Sequence, residues 1–370
     1  LNLIGSLQRY LYEGDRATRW AAGQALSLLG DEMTVSILLN AMRLTDEAIR
    51  QPAAEALGRV RGSRAVNVLI EALGDRDPLV RQKAVEALSG IPDSRAVAAL
   101  LPLAKDPEWR VRRALVTALI RVGDARIYPA LLELARDPDR WVRRTVMDNC
   151  ALLDDSRVSE VLLLGLEDPE LDVVRAALIA LGRRRDPATA KAVAERLAEP
   201  VVALRIVAVR ALTLIGGPVA LERLPLLVHD PAEAVRREIA DTFGEMGIED
   251  TTEALEVLLR DEAEGVRIQA AEALAHIGTL RAAEALAAAL SEPLARPPAQ
   301  AQLVRLGNLA LRALLETARA ADAEMRAAAA ETLGQLRSSK AGPTLKMLVR
   351  DADARVRQAA EAALRLIGEG

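Results

Sequence analysis

The sequence contains very little of the residue types on which disulfide frameworks, metal centres and aromatic cores depend. Its 370 residues include one cysteine, two histidines and one phenylalanine, and aromatic residues make up only 2% of the chain. The single cysteine, Cys150, excludes an intramolecular disulfide and is typical of a reducing compartment, so we expect a cytoplasmic protein. The core must be built from Ala, Leu, Val and Ile.

Long apolar runs and an excess of one charge are also missing. No apolar run reaches the ~20 residues of a membrane-spanning helix, so no membrane association is expected. Charged residues make up 28% of the chain, yet the net charge is only −4. Nucleic-acid-binding proteins usually carry a clear basic excess, so nucleic acid is a disfavoured partner. Because the chain begins with Leu1 instead of methionine, we expect a larger parent chain or a processed precursor.

The residue clusters of common active sites are absent from the sequence. The two histidines, His229 and His276, are 47 positions apart and form no His-Glu or Cys-x-x-Cys arrangement. No phosphate-binding glycine loop, dinucleotide fingerprint or Ser–His–Asp set occurs. We therefore predict no cofactor, no metal, no catalytic residue and no enzyme, and we expect Cys150 to be a buried, unreactive thiol.

The chain is organised by a 31-residue repeat. An arginine recurs in steps of 31 residues, or a multiple of 31, from Arg19 to Arg267. With two later copies, this series is Arg19, Arg50, Arg81, Arg112, Arg143, Arg205, Arg236, Arg267, Arg326 and Arg357. Each copy has two apolar stripes at helical spacing. Since no helix pair can bury its stripe alone, we predict an all-α fold: a right-handed α-solenoid (superhelix) of about twelve stacked helix pairs.

Short turns with characteristic residues separate the helices. Asp-Pro precedes the second helix in five copies, and we expect this aspartate to cap the helix and the proline to occupy its first position. These dipeptides are Asp77-Pro78, Asp106-Pro107, Asp137-Pro138, Asp168-Pro169 and Asp230-Pro231. Glycine often follows the second helix, as at Gly30, Gly123, Gly247 and Gly278, where a left-handed residue ends the helix at least cost. No flexible linker interrupts the pattern, which predicts one continuous domain over residues 1–370.

The pattern Asp-Pro-x-x-x-Val-Arg, followed by Ala-Ala-x-Ala-Leu-Gly, resembles the HEAT-like repeats of phycobilin lyases and of many bacterial scaffold proteins. The resemblance extends over essentially the whole chain and implies a HEAT-repeat fold. It leaves three functions open: a non-catalytic protein- or peptide-binding scaffold or sensor, a phycobilin lyase-like chromophore chaperone, and a nucleic-acid-binding HEAT-like protein. A lyase-like activity together with a partner remains an alternative to the absence of catalysis.

The recurring arginines are assigned to the scaffold. An arginine one turn into the second helix can reach carboxylates of the turns, such as Asp77 or Asp106, and connect adjacent layers. In HEAT-like proteins such ladders are architectural. We refer to the ten recurring arginines as the arginine ladder.

The repeat departs from its pattern at two places. Val174 occupies the ladder position of the sixth copy, with Arg175 displaced by one residue. In the tenth copy the position is Pro298, and the next ladder arginine follows after 28 residues instead of 31. Proline within a helix removes a hydrogen bond and clashes, so we expect this helix to begin late or be broken. An irregularity or hinge is predicted at about residues 292–307, with a tolerated degenerate repeat as the alternative.

A candidate binding surface follows from the positions beside the ladder. Second helices usually line the concave side of a HEAT-type stack, and the residue after each ladder arginine should face solvent there. Arginine occupies this position in three consecutive copies and again later, and two tryptophans and two further arginines lie at the starts of the same helices. The candidate partner-binding residues are Trp109, Arg110, Arg113, Arg140, Trp141, Arg144, Arg175 and Arg237.

Tryptophan and arginine are enriched in binding hot spots, and the guanidinium fork suits carboxylates or phosphates. We therefore expect a protein or peptide partner, with end-to-end self-association as a further option. The alternative is that the tryptophans cover the apolar ends of helix pairs and the arginines are ordinary solvated residues. The sequence leaves both interpretations open.

Overall fold

The computed structural model describes residues 3–60, 63–91 and 93–368. Within these ranges the chain forms twenty-four α-helices and no strand, which confirms the all-α prediction. Consecutive helices pair, so repeat 1 contains α1 and α2, repeat 2 contains α3 and α4, and so on to repeat 12. The chain divides into two compact units, at Leu1–Thr189 and Ala190–Gly370.

Unit 1 comprises repeats 1 to 6. Its helices are α1 (Leu3–Glu13), α2 (Arg16–Leu29), α3 (Glu32–Ala41), α4 (Glu47–Val60), α5 (Ser63–Ala72), α6 (Pro78–Ser89), α7 (Ser94–Leu100), α8 (Trp109–Val122), α9 (Tyr128–Leu134), α10 (Arg140–Cys150), α11 (Val158–Leu164) and α12 (Leu171–Arg184). Short 3-10 segments lie at Leu101–Lys105, Ala125–Ile127, Gly165–Glu167 and Pro187–Thr189. The even-numbered second helices pack against one another in order, from α2 to α12.

Unit 2 comprises repeats 7 to 12 and begins at the first helix of repeat 7. Its helices are α13 (Ala190–Glu195), α14 (Val202–Ile215), α15 (Gly217–Arg223), α16 (Glu233–Met246), α17 (Thr252–Leu258), α18 (Glu264–Ile277), α19 (Leu280–Ala288), α20 (Arg296–Leu306), α21 (Asn308–Thr317), α22 (Ala323–Gln335), α23 (Gly342–Leu348) and α24 (Ala354–Ile367). Its 3-10 segments lie at Arg196–Ala198, Leu224–His229, Glu249–Thr251, Ala289–Ser291 and Ser339–Ala341.

Small residues let the second helices approach closely. A Cβ atom added to Gly58 on α4 would lie 2.6 Å from the Cβ atom of Ala87 on α6. At Gly334 on α22, the added atom would lie 2.7 Å from the Cα atom of Ala363 on α24. The aliphatic, alanine-rich composition is therefore matched to near-contact between helix backbones.

The glycine turns are as predicted, whereas the Asp-Pro turns are not. Gly30, Gly123, Gly247 and Gly278 all end second helices in the left-handed region, with φ between 62° and 66°. Of the five Asp-Pro dipeptides, only Asp77-Pro78 caps and begins a helix.

In the other four copies the second helix begins later than the Asp-Pro dipeptide. Helix α8, for example, begins at Trp109, and Asp106 precedes it in the turn. The Asp106 carboxylate accepts hydrogen bonds from Arg81 and from the Glu108 N–H instead of capping the helix. The predicted capping role was therefore wrong for these four aspartates. Pairing with a ladder arginine and capping a helix both favour aspartate, so the sequence pattern alone does not distinguish the two roles.

The ladder arginines bind the turn of the following repeat. Arg81 donates through Nε and Nη2 to the Asp106 carboxylate, at 2.7 and 2.8 Å, and through Nη1 to the Asp75 carbonyl at 2.8 Å. The same two-point pairing occurs in Arg50–Asp75, Arg112–Asp137, Arg143–Asp168, Arg205–Asp230, Arg236–Asp261 and Arg326–Asp351. The aspartate of repeat 3 that joins the ladder is Asp75, and Asp77 is left to cap α6. Each pair fastens a second helix to the next layer.

Within the described ranges, the remaining three ladder arginines do not form this two-point pairing. Arg19 reaches Asp46 through one contact of 3.0 Å. Arg267 donates to the carbonyl of Leu294, at 3.1 Å, and Arg357 donates to the carbonyl of Asp351. Repeat 10 has glutamate at position 292, where the paired repeats have aspartate.

Both departures from the repeat are accommodated locally. Val174, at the vacant ladder position, is buried. Helix α20 is unbroken and begins at Arg296, so Pro297 and Pro298 lie in its first turn, where a missing N–H costs no helical hydrogen bond. Helix α19 packs closely against α21, whereas α20 contacts α22 at few residues. The single continuous domain and the hinge at about 292–307 stay predictions.

Candidate partner-binding site

The candidate residues lie on four second helices. Trp109, Arg110 and Arg113 are brought together on α8, and a second group forms on the neighbouring helix α10. Arg175 on α12 and Arg237 on α16 are exposed and join neither group. The structure thus concentrates the candidate set in repeats 4 and 5.

The first group is built around Trp109, which begins α8 and is half-buried. The guanidinium carbons of Arg110 and Arg113 lie 4.8 and 5.4 Å from the ring centroid, within the range of cation–π attraction. Arg110 also forms an ion pair of 3.1 Å with Glu108. Arg113 is exposed and, among the described residues, has no ion pair with a carboxylate.

The second group is built around Trp141, which is 39% exposed. Arg140 and Arg144 lie 4.9 and 5.9 Å from its ring centroid. Here carboxylates engage both arginines, because Arg140 lies 3.4 Å from Glu170 and Arg144 lies 3.2 Å from Asp172. The positive charge is compensated on α10 and less so on α8.

A groove of about 270 Å³ runs between α6 and α8, and we name it the arginine crease. Its lining includes Gln82, Glu86, Ser89, Arg110, Arg113 and Arg121. Arg110 and Arg113 belong to the predicted set. Glu86 and Arg121 were missed, although following the exposed face of α8 for two further turns from Arg113 leads to Arg121.

The residues that line the arginine crease carry a net positive charge, and its glutamate already accepts hydrogen bonds from neighbouring side chains. The Glu86 carboxylate accepts from Gln82 at 2.8 Å and from Lys83 at 3.0 Å, so its two oxygens are already engaged. Arg121 donates to the Ser89 hydroxyl at 3.2 Å. Three guanidinium groups therefore line a groove whose one lining carboxylate is already satisfied.

A second groove lies at the equivalent place in unit 2, five repeats further along the chain. This acidic crease, of about 390 Å³, is lined by Asp241, Glu245, Glu272, His276 and Arg305, among others. It runs between the second helices α16 and α18 and extends to α20. The two grooves share a framework and differ in charge.

The remaining chemically notable groups are separate from both creases. Cys150 is completely buried, and burial raises the pKa of its thiol to about 12, so the thiol is protonated at neutral pH. His229 is exposed in the turn before α16. In the described ranges, no group of three or more His, Cys, Asp or Glu side chains is arranged to hold a metal ion. No helix in those same ranges combines the length and apolarity needed to cross a bilayer.

Comparison with solved structures identifies similar folds. Kap121p, in a mutant form, gives a TM-score of 0.65 at 14% identity, covering 99% of this chain and 49% of that one. Kap95p in complex with RanGDP gives 0.59 at 15% identity, covering 98% and 55%. The complex of CpcE and CpcF of phycocyanin lyase from Nostoc sp. PCC7120 gives 0.36 at 23% identity, covering 61% and 94%. The two karyopherin structures confirm a solenoid of helix pairs.

Sequence comparison assigns the family directly. No curated protein matches the chain. The family model described as HEAT repeats matches residues 6–89, 66–147, 220–304 and 299–365, which together cover most of the sequence. On this basis, and with the helix-pair architecture described above, the chain belongs to the HEAT-repeat family.

Proposed function

We propose that this chain is a non-catalytic, cytoplasmic scaffold that binds a protein or peptide on the exposed face of α8 and α10. The observation that carries the proposal is the pair of tryptophan–arginine groups on adjacent second helices. Each group presents a partly exposed indole ring with two guanidinium groups against it. Two such groups on neighbouring layers offer a partner two anchors at a spacing set by the repeat.

The physical properties of these side chains favour protein recognition. Tryptophan supplies a large contact area and loses little conformational entropy on binding, because it has two side-chain torsions. Stacking against Trp109 restrains Arg110 and Arg113 before a partner arrives, which lowers the entropy lost in the complex. The solved complex of Kap95p with RanGDP pairs a solenoid of similar fold with a protein partner.

The test compares capture of partners by three proteins. The wild-type chain, a Trp109→Ala/Trp141→Ala variant and a Trp20→Ala variant are immobilised and exposed to extract of the source cells. Trp20 is the matched control because it is a half-buried tryptophan on α2, beside Lys83, outside repeats 4 and 5. Circular dichroism and thermal melts establish that each variant is folded.

We expect the double variant to lose partners that the wild type and Trp20→Ala retain. Truncating one hot-spot tryptophan commonly costs 2 kcal/mol or more, roughly a thirtyfold loss of affinity. Identical capture by all three proteins would show that the two tryptophans do not anchor a partner.

A further inference from the structure

Two arginines of the arginine crease, Arg113 and Arg121, contact uncharged groups. Arg113 rests on Trp109, and Arg121 donates a hydrogen bond to the Ser89 hydroxyl. Among the described residues, neither forms an ion pair with an acidic side chain. The ladder arginine Arg81, by contrast, is held by two bonds to the Asp106 carboxylate. Arg113 and Arg121 leave charged donors available to an anion.

The shape of the crease suits a side chain that carries its charge at the end of a short aliphatic stem. Ala114, Thr117 and Ala118 line it between the two arginines, so nothing large fills the space. Glu86 forms part of the opposite wall, and Gln82 and Lys83 hold it in place. An incoming carboxylate can therefore reach the guanidinium groups without displacing an existing ion pair.

We propose that the arginine crease binds an acidic peptide segment, with aspartate or glutamate carboxylates placed against Arg113 and Arg121. The two arginines are eight residues apart on α8, which at 1.5 Å per residue is about 12 Å along the helix. An extended peptide advances about 3.3 Å per residue, so carboxylates roughly four residues apart reach both groups. The inference rests on the proposed partner-binding face and specifies the chemistry of the partner.

The charges around the crease favour a short acidic segment over a nucleic acid. The second helices on either side carry carboxylates, including Glu55 on α4 and Asp148 on α10. Glu55 pairs with Lys83 and Asp148 with Arg144, so these pairs add no net positive charge for a polynucleotide, which carries a charge about every 3.4 Å along each strand. A peptide with a few acidic side chains can place its charge at Arg113 and Arg121 alone.

The experiment measures binding of a labelled twelve-residue peptide with glutamate at every fourth position, by fluorescence anisotropy at low ionic strength. A peptide of the same sequence with glutamine in place of glutamate is the ligand control. The full chain is compared with Arg113→Glu, Arg121→Glu and Arg175→Glu. Arg175 is the matched control, because it is an exposed arginine on α12 outside the crease, has no ion pair within the part of the chain that the structure describes, and its substitution changes the net charge equally.

We expect the glutamate peptide to bind at least tenfold more tightly than the glutamine peptide. Arg113→Glu and Arg121→Glu should each weaken binding at least tenfold, and Arg175→Glu should change it less than twofold. A fourth variant, Glu86→Gln, removes a negative charge from the crease wall and should tighten binding several-fold. An unfolded or damaged protein does not gain affinity, so this variant distinguishes recognition from misfolding.

Three results would overturn the inference: equal binding of the two peptides, an equal loss in Arg175→Glu, or competition by a single-stranded oligonucleotide that binds more tightly through the same two arginines. The outcomes also separate this inference from the proposed function. If the tryptophan variant loses its cellular partner while Arg113→Glu retains it, the binding face stands and the acidic-peptide chemistry is wrong. If the peptide binds but no variant changes partner capture, the proposed function fails on its own.

Discussion

The arginine crease and the acidic crease occupy the same place in the repeat and carry opposite charge. Arg121 in repeat 4 corresponds to His276 in repeat 9, and Thr117 corresponds to Glu272. Beneath both creases the ladder is the same, with Arg81–Asp106 in unit 1 and Arg236–Asp261 in unit 2. The framework therefore accommodates residues of opposite charge at equivalent exposed positions of the second helices without a change of fold.

Acidification tests whether the ladder stabilises both units. Of the changes considered, it should lower the free energy of unfolding the most. The hydrogen bond from Arg326 lowers the pKa of Asp351. Burial is the largest single influence on the pKa of Asp75 and Asp261 and raises it. The hydrogen bonds from Arg50 and Arg236, together with backbone N–H bonds and the nearby positive charges, outweigh burial and lower the pKa of both carboxyl groups.

A carboxylate whose pKa is depressed in the folded state stabilises the protein above its unfolded pKa of about 3.9. That contribution is lost as the pH falls through the folded-state pKa. The free energy of unfolding should therefore be level from pH 7 to about 5 and fall steeply below pH 4. Urea unfolding at each pH, followed by circular dichroism, measures it. A midpoint that is independent of pH down to 2 would contradict a carboxylate ladder.

Breaking one ladder pair in each unit should cause the next largest loss of stability. Asp106→Ala should destabilise the protein by about 3 kcal/mol, because it leaves the partly buried Arg81 guanidinium without its counter-charge. Asp261→Ala should have a similar effect on Arg236. Removing both members, as in Arg81→Met/Asp106→Leu, should cost less than either single change. Denaturant unfolding measures all of these, and a large difference between the units would show that their ladders are not equivalent.

The sequence predicted the framework far better than the surface. The 31-residue periodicity was sufficient to predict the helix pairs, and Gly30 and Gly123 were sufficient to predict where their second helices end. It did not separate Asp75, which joins the ladder, from Asp77, which caps a helix, because aspartate serves both roles. The arginine crease was missed because it depends on side chains from two helices, such as Glu86 and Arg121, whose proximity is a property of packing.

Helix spacing offers a finer comparison. A Cβ atom added to Gly58 would lie 2.6 Å from Ala87, whereas one added to Gly244 would lie 3.0 Å from Ala273. Alanine favours a helix by up to about 1 kcal/mol over glycine, but overpacking costs about 1–3 kcal/mol. Gly58→Ala should therefore destabilise unit 1 by about 1–2 kcal/mol, and Gly244→Ala should be nearly neutral. Thermal unfolding of the two variants checks this, and a more destabilising Gly244→Ala would contradict the difference in spacing.

Converting one crease into the other should have the smallest effect on stability. In Thr117→Glu/Arg121→His, the arginine crease takes the residues found at the equivalent positions of the acidic crease. Both positions are exposed, and surface substitutions away from caps and networks usually change stability by no more than about 0.5 kcal/mol. The melting temperature should hardly move, while binding of the glutamate peptide is lost.

The reverse exchange, Glu272→Thr/His276→Arg, is the matched control in unit 2, and it too should leave the melting temperature unchanged. A loss of stability in the first variant alone would mean that Arg121 supports the fold of unit 1. In that case the hydrogen bond from Arg121 to the Ser89 hydroxyl would explain why arginine occupies position 121, and a role in binding an acidic partner would not.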